Sequence, residues 1–116
     1  MDEPAKWNIT AGRGSNRPIL KFRLENPDDG SPQDLTGANL IAVAEVADGR
    51  IIASLSDGGL IHGQDGYVTW ALSIDDSYRI RPGALTRYAI ERVDPGGDQY
   101  PVIVGVIIGR DYPNVD

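Results

Sequence analysis

Few residues in this 116-residue chain have types and spacing suited to catalysis. The only imidazole, His62, stands between Ile61 and Gly63, and a catalytic role would require a nucleophile and an orienting carboxylate within its reach. No nucleophile-elbow sequence supplies them, so His62 reads as a strand-end histidine. With no cysteine there is no thiol chemistry, no disulfide and no ordinary zinc ligand set. The segment Gly12-Arg13-Gly14-Ser15-Asn16 has the glycines of a phosphate cradle. However, no Lys-Ser/Thr pair follows it and the next element reads as a strand, so no helix N-terminus is built to receive an anion. A mobile loop is expected there. Carboxylates cluster at Asp28-Asp29, at Asp75-Asp76 and at Asp94 with Asp98. Calcium takes six to eight oxygens, and none of these clusters has the alternating spacing that would deliver them. Asp75 and Asp76 suit the first turn of a helix, and Asp94 and Asp98 suit a turn. A glycosidase pair would also need a cleft for which so short a chain has little room. The expectation is no enzyme, no metal and no cofactor.

Binding is the chemistry that remains. Tyr67, Tyr78, Tyr100 and Tyr112 are amphipathic and suit a sugar- or protein-binding face, which keeps a carbohydrate-binding module as an alternative. Arg79, Arg81, Arg87 and Arg92 suit an interface rim better than a core. The interface candidates are therefore these four arginines with Tyr67 and Tyr100. The 11 Lys and Arg face 17 Asp and Glu, a formal charge of −6. Each half of the chain carries −3, with no basic stripe to attract phosphate backbones or anionic lipids. The opening Met-Asp-Glu-Pro-Ala-Lys lacks the basic start and apolar run of a secretory signal. The longest uncharged apolar run, 101–109, is about half the roughly 20 residues a membrane helix needs. A soluble protein made in the cytoplasm is expected, with neither nucleic acid nor membrane as partner.

The elements that position these residues are short strands. Fourteen glycines and eight prolines accompany 41% hydrophobic residues, which describes a turn-rich single domain and not a disordered chain. Its core spans about 7–110 of 1–116, with flexible extensions at both ends. Trp7 and Ile9 suggest a short edge strand. Residues 19–25 alternate strictly, with Leu20, Phe22 and Leu24 on one face. Residues 38–46 read as a central strand, and Asp48-Gly49 predicts a primed hairpin turn into 51–55. Residues 60–62 and 67–72 follow, the latter turning Val68, Trp70 and Leu72 one way. Ser73 caps one or two helical turns, and Pro82-Gly83 ends them. Residues 85–93 carry Tyr88 and Ile90 on one face. The final strand, 100–108, is apolar on both faces and has to be covered. Seven to eight strands with one short helical corner predict an all-β, immunoglobulin-like antiparallel β-sandwich, without the bridging cysteines and with Trp70 in the inter-sheet core.

Taken in order, Asp34-Leu35-Thr36-Gly37-Ala38, Asp65-Gly66-Tyr67-Val68-Thr69-Trp70, Leu72-Ser73, Ile80, Pro82-Gly83, Tyr88-Ala89-Ile90-Glu91 and Gly105-Val106-Ile107 resemble a module of tailed bacteriophages. It is similar to the immunoglobulin-like domain at the N-terminus of baseplate upper proteins and in small tail or fibre-associated proteins, over about 17–110. The motif positions are Leu35, Thr36, Gly37, Trp70, Pro82, Gly83, Tyr88 and Gly105. Leu35 would plug the sandwich end, and Gly105 would mark a close approach of backbone or a large side chain. The family places its tyrosine two residues after the glycine of Pro-Gly, where this chain has Leu85, so a bulge or a longer corner is needed to restore the phase. The resemblance implies a virion structural part, joined to other tail, baseplate or fibre proteins and to copies of itself. A head decoration or neck protein is the neighbouring alternative.

Overall fold

The computed structural model describes residues 4–111. Among these residues, nine strands, one α-helix and one 3-10 turn (Gln64–Gly66) make two packed sheets. In chain order they are β1 (Ala5–Lys6), β2 (Ile9–Gly12), β3 (Pro18–Arg23), β4 (Asn39–Val46), β5 (Gly49–Ser54), β6 (Leu60–His62), β7 (Tyr67–Ala71), the helix α1 (Ile74–Arg79), β8 (Gly83–Val93) and β9 (Gln99–Arg110). The smaller sheet runs β3-β7-β6 and the larger β9-β8-β4-β5, all antiparallel. Strands two, five and four of an immunoglobulin sandwich share one sheet in that order, and strands three, six and seven share the other. With β3 counted as the second strand and β5 as the extra edge strand of variable-type domains, β3 to β9 follow this arrangement. The chain is thus an all-β, immunoglobulin-like sandwich with one helical corner.

Two departures concern the strands. β1 and β2 both run parallel to β9, along successive parts of its outer edge, so the sandwich is not wholly antiparallel. They cover the strand whose apolar backbone would otherwise template other chains. Ordered pairing therefore begins at Ala5, ahead of residue 7, and Trp7 lies between the two short strands with 47% of its surface exposed. The expected extensions shrink accordingly. Asp111 is held by Arg13 at 2.6 Å, while residues 1–3 and 112–116, including Tyr112, lie outside the described residues.

The β4–β5 turn also differs from expectation. Val46 pairs with Gly49, so the two turn residues are Ala47 and Asp48, and neither has positive φ. A primed turn needs positive φ at one or both central positions. Here the unusual dihedral moves to Gly49, at φ +136°, where the return strand begins.

The core forms where alternating strands bring their apolar faces together. Leu20 and Phe22, Leu60, and Val68 and Trp70 face Leu40, Ala42 and Ala44, Ile51, Tyr88 and Ile90, and Ile103 and Ile107. Trp70 on the smaller sheet meets Tyr88 on the larger, ring centroids 5.8 Å apart and tilted by 53°. Three polar residues, Ser54, Ser77 and Thr86, join the buried set. Ser77 donates to the Ile74 carbonyl and accepts from the Gly14 N–H at 2.8 Å, while Thr86 is fully buried with no partner for its hydroxyl. The bond from Gly14 to Ser77, with Arg13 N–H to the Arg110 carbonyl, ties down the segment expected to be a mobile loop.

Candidate functional site

The motif positions form the frame on which any site is mounted. Asp34 Oδ1 accepts the Thr36 N–H at 2.9 Å, and the Ala38 N–H closes a turn onto the Leu35 carbonyl. This leaves Leu35 packed against the core edge and Thr36 and Gly37 outside it. Hydrogen bonding to Thr36 holds the Asp34 carboxyl below the usual carboxylate range. At the corner, Ser73 Oγ accepts the Asp76 N–H at 3.0 Å and starts α1, with Asp75 and Asp76 in its first turn. Pro82 and Gly83 follow, both exposed. The β8–β9 register then slips between Gly83 and Thr86, a bulge that turns Leu85 outward and Tyr88 inward. Tyr88 Oη donates to the Trp7 carbonyl at 2.6 Å, and burial pushes the phenol up to about 12. Gly105 pairs with Tyr88 across the ladder at the point where the Trp7 carbonyl crosses β9.

The interface candidates divide into two groups. Arg79 and Arg92 are engaged within their own chain. Arg79 bonds Asp48 Oδ1 and Asp76 Oδ1, both at 3.1 Å, and the Arg50 carbonyl at 3.3 Å, so the corner is pinned to the β4–β5 turn. Arg92, with 13% of its side chain exposed, reaches Asp94 at 2.7 Å, Gln33 at 2.8 Å and the Asp34 carbonyl at 3.0 Å. It staples the loop after β3 to the end of β8.

The other four candidates face outward in different directions. Arg81 is exposed beside the corner. Arg87, 79% exposed, stands on the outer face of the larger sheet, 3.3 Å from Glu45. Tyr67 lies on the outer face of the smaller sheet, with Lys21 and Arg23 at 5.0 and 5.1 Å from its ring centroid. Tyr100 is half-buried and lines a cleft of about 560 Å³ with Trp7, Arg23, Glu25 and Gln33.

The remaining groups stay apart. His62 is exposed at the end of β6. Tyr78 lies over the Gly14 turn with Arg13 5.8 Å from its ring centroid, remote from Tyr67. Asp94 and Asp98 close their own turn through the Asp94 N–H and the Asp98 carbonyl, and Asp29 caps Ser31. Among the described residues no three His, Asp or Glu side chains converge as metal ligands would.

A surface that sequence reasoning missed lies on the outer face of the larger sheet. Register places Ile52, Val43, Ala89 and Val104 in one transverse row across β5, β4, β8 and β9. Charged residues border it: Arg50, Glu45 and Arg87 on one side, Glu91 on the other. The alternating Ile41-Val43 pattern of β4 was the available signal, since a strand apolar on both faces needs a second cover.

Neither a family model nor a curated protein matches the chain. Among solved structures it is similar to extracellular domains 3–5 of Drosophila OTK, at 12% identity and a TM-score of 0.36 over 90% of this chain and 33% of that one. The immunoglobulin-like assignment rests on strand order and sheet pairing.

Proposed function

We propose that this chain is a non-enzymatic structural part of a tailed-bacteriophage virion, an adaptor of the tail, baseplate or fibre region that assembles by protein–protein contacts. The reading is carried by the ordered motif from Leu35-Thr36-Gly37 through Trp70, Pro82-Gly83 and Tyr88 to Gly105, all of it spent on one framework. A framework of this kind leaves both sheet faces to meet neighbours. The partners would be other tail, baseplate or fibre proteins and further copies of the chain, with synthesis in the host cytoplasm and residence in the virion. Mass spectrometry of purified virions is the test. The expected result is this chain among the particle proteins, and its absence overturns the reading. Imaging the particle separates a tail position from head decoration or the neck.

The cleft carrying Trp7 and Tyr100 beside Arg23, Glu25 and Gln33 favours a second reading, a carbohydrate-binding module. That reading predicts hits on a glycan array that are lost on Trp7→Ala.

A further inference from the structure

We infer that a second copy of this chain docks on the outer face of the larger sheet, around a two-fold axis lying in the plane of that face. The inference deepens the assembly reading above and rests on it only for the biological setting. Ile52 is 60% exposed, and Val43, Ala89 and Val104 beside it are half-buried. The small Ala89 side chain contributes to a hollow of about 470 Å³ next to Val43 and Ile41. Charge selects the occupant. The face carries two cations, Arg50 and Arg87, and two carboxylates, Glu45 and Glu91, so it is locally neutral on a chain of net charge −6. Identical acidic molecules repel one another over most of their surface, and here that repulsion is absent. On the opposite sheet, Arg23 beside Tyr67 is already paired with Glu25 of its own chain, and only Lys21 stands there as a further cation over the ring.

A two-fold interface has to be complementary to itself. Arg87 and Glu91 lie two residues to either side of Ala89 on β8. An axis along the apolar row therefore sets Arg87 of one copy opposite Glu91 of the other. An axis along the strands, between β4 and β8, sets it opposite Glu45, which is next to Arg87 in the same sheet. In both arrangements Arg87 meets a carboxylate of the second copy, and the apolar row meets an apolar row.

Sedimentation of the full chain over a rising concentration series tests this. A reversible monomer–dimer equilibrium is expected, weakened at least about tenfold by Ile52→Asp and by Arg87→Glu. Circular dichroism should be unchanged in both variants, because both side chains are exposed. Mixing the R87E chain with an E45R/E91R chain should restore dimers as heterodimers. A monomer at every concentration, or a dimer indifferent to Ile52→Asp, overturns the inference. A monomer that is nevertheless found in virions overturns only this inference, whereas a dimer absent from virions overturns only the assembly reading.

Discussion

Replacing Gly105 by alanine tests the packing that seats the N-terminal strands on the larger sheet. Gly105 is not in the left-handed region, so alanine meets no backbone penalty there, and in a strand interior it would on its own gain about 0.5–1 kcal/mol. The obstacle is space. A Cβ at this position would lie 2.7 Å from the Trp7 carbonyl carbon and 3.1 Å from Tyr88 Cε1, with the Trp7 carbonyl oxygen closer still. The two obstacles are bonded to each other through Tyr88 Oη and the Trp7 carbonyl. To make room, the Trp7 segment has to lift, which gives up that bond and the 2.9 Å bond from Trp7 N–H to the Val104 carbonyl. Leaving the Tyr88 hydroxyl without its partner costs about 1–3 kcal/mol. Residual overpacking adds about 1–3 kcal/mol. After the strand gain is subtracted, the expected loss is about 1–5 kcal/mol, which lowers Tm on the order of 10 °C in a domain of this length. Urea unfolding followed by far-UV circular dichroism measures the loss. Fluorescence of the half-exposed Trp7 reports the lifted segment separately from the buried Trp70. In a Tyr88→Phe background the bond is already gone, so the cost of Gly105→Ala should fall below its value in the parent chain. A wild-type urea midpoint for Gly105→Ala would refute the close approach of the Trp7 segment to β9.

Thr86→Val should stabilise the fold by about 1 kcal/mol, because it replaces a fully buried hydroxyl that has no partner with a methyl group of similar shape. An unchanged or lower urea midpoint would mean that the hydroxyl is satisfied. Arg92→Ala should cost about 2 kcal/mol, and Arg92→Lys should recover little of it, since one ammonium cannot serve Asp94, Gln33 and the Asp34 carbonyl as the guanidinium fork does. Full rescue by lysine would reduce Arg92 to a surface charge. Burial raises the Tyr88 phenol from its ordinary value of 10.0 to about 12, so the unfolded chain loses this proton first as the solution becomes alkaline. Its contribution to stability is complete below pH 10 and is lost as pH rises from about 10 to about 12, and Tyr88→Phe should flatten that part of the stability–pH curve.

The sequence made legible whatever depends on neighbours along the chain. β3 and β7 could be read because Leu20-Phe22 and Val68-Trp70 alternate without interruption, and α1 because Ser73 stands three residues before Asp76. The β8 bulge announced itself as a phase error at Leu85. The illegible parts depend on distant partners. The edge strand suggested by Trp7 and Ile9 forms from Ile9 onward as β2, but β1 has little strand signal of its own, and both run parallel because the open edge of β9 receives them. The Asp48-Gly49 dipeptide suggested a primed turn, but pairing of Val46 with Gly49 shifts the turn back by one residue and leaves glycine in the strand. Ser77 and Thr86 are polar, and nothing local says they are buried. Arg92 looked like a rim residue because its acceptors Gln33 and Asp34 lie nearly sixty positions away.

The sandwich has no disulfide to join its sheets, and that absence bears on where recognition can occur. Tyr88 takes over much of the cross-linking. Its ring meets Trp70 of the smaller sheet, and its hydroxyl holds the segment between β1 and β2, so one side chain on β8 connects both sheets to the N-terminal edge. Arg79 and Arg92 perform the same service for the corner and for the loop after β3. These residues are committed to the fold and are not free for a partner. The outward candidates are Arg87 on the larger sheet, Tyr67 on the smaller, Tyr100 in the cleft between edges and Arg81 at the corner, each on a different part of the surface. A site for one small ligand gathers its polar groups in a single concavity. Side chains dispersed in this way suit a part that touches several neighbours at once, and the face around Arg87 sets two cations and two carboxylates around an apolar row. Contacts between copies are therefore expected at the larger sheet, leaving the smaller sheet's Tyr67 face for an unlike neighbour.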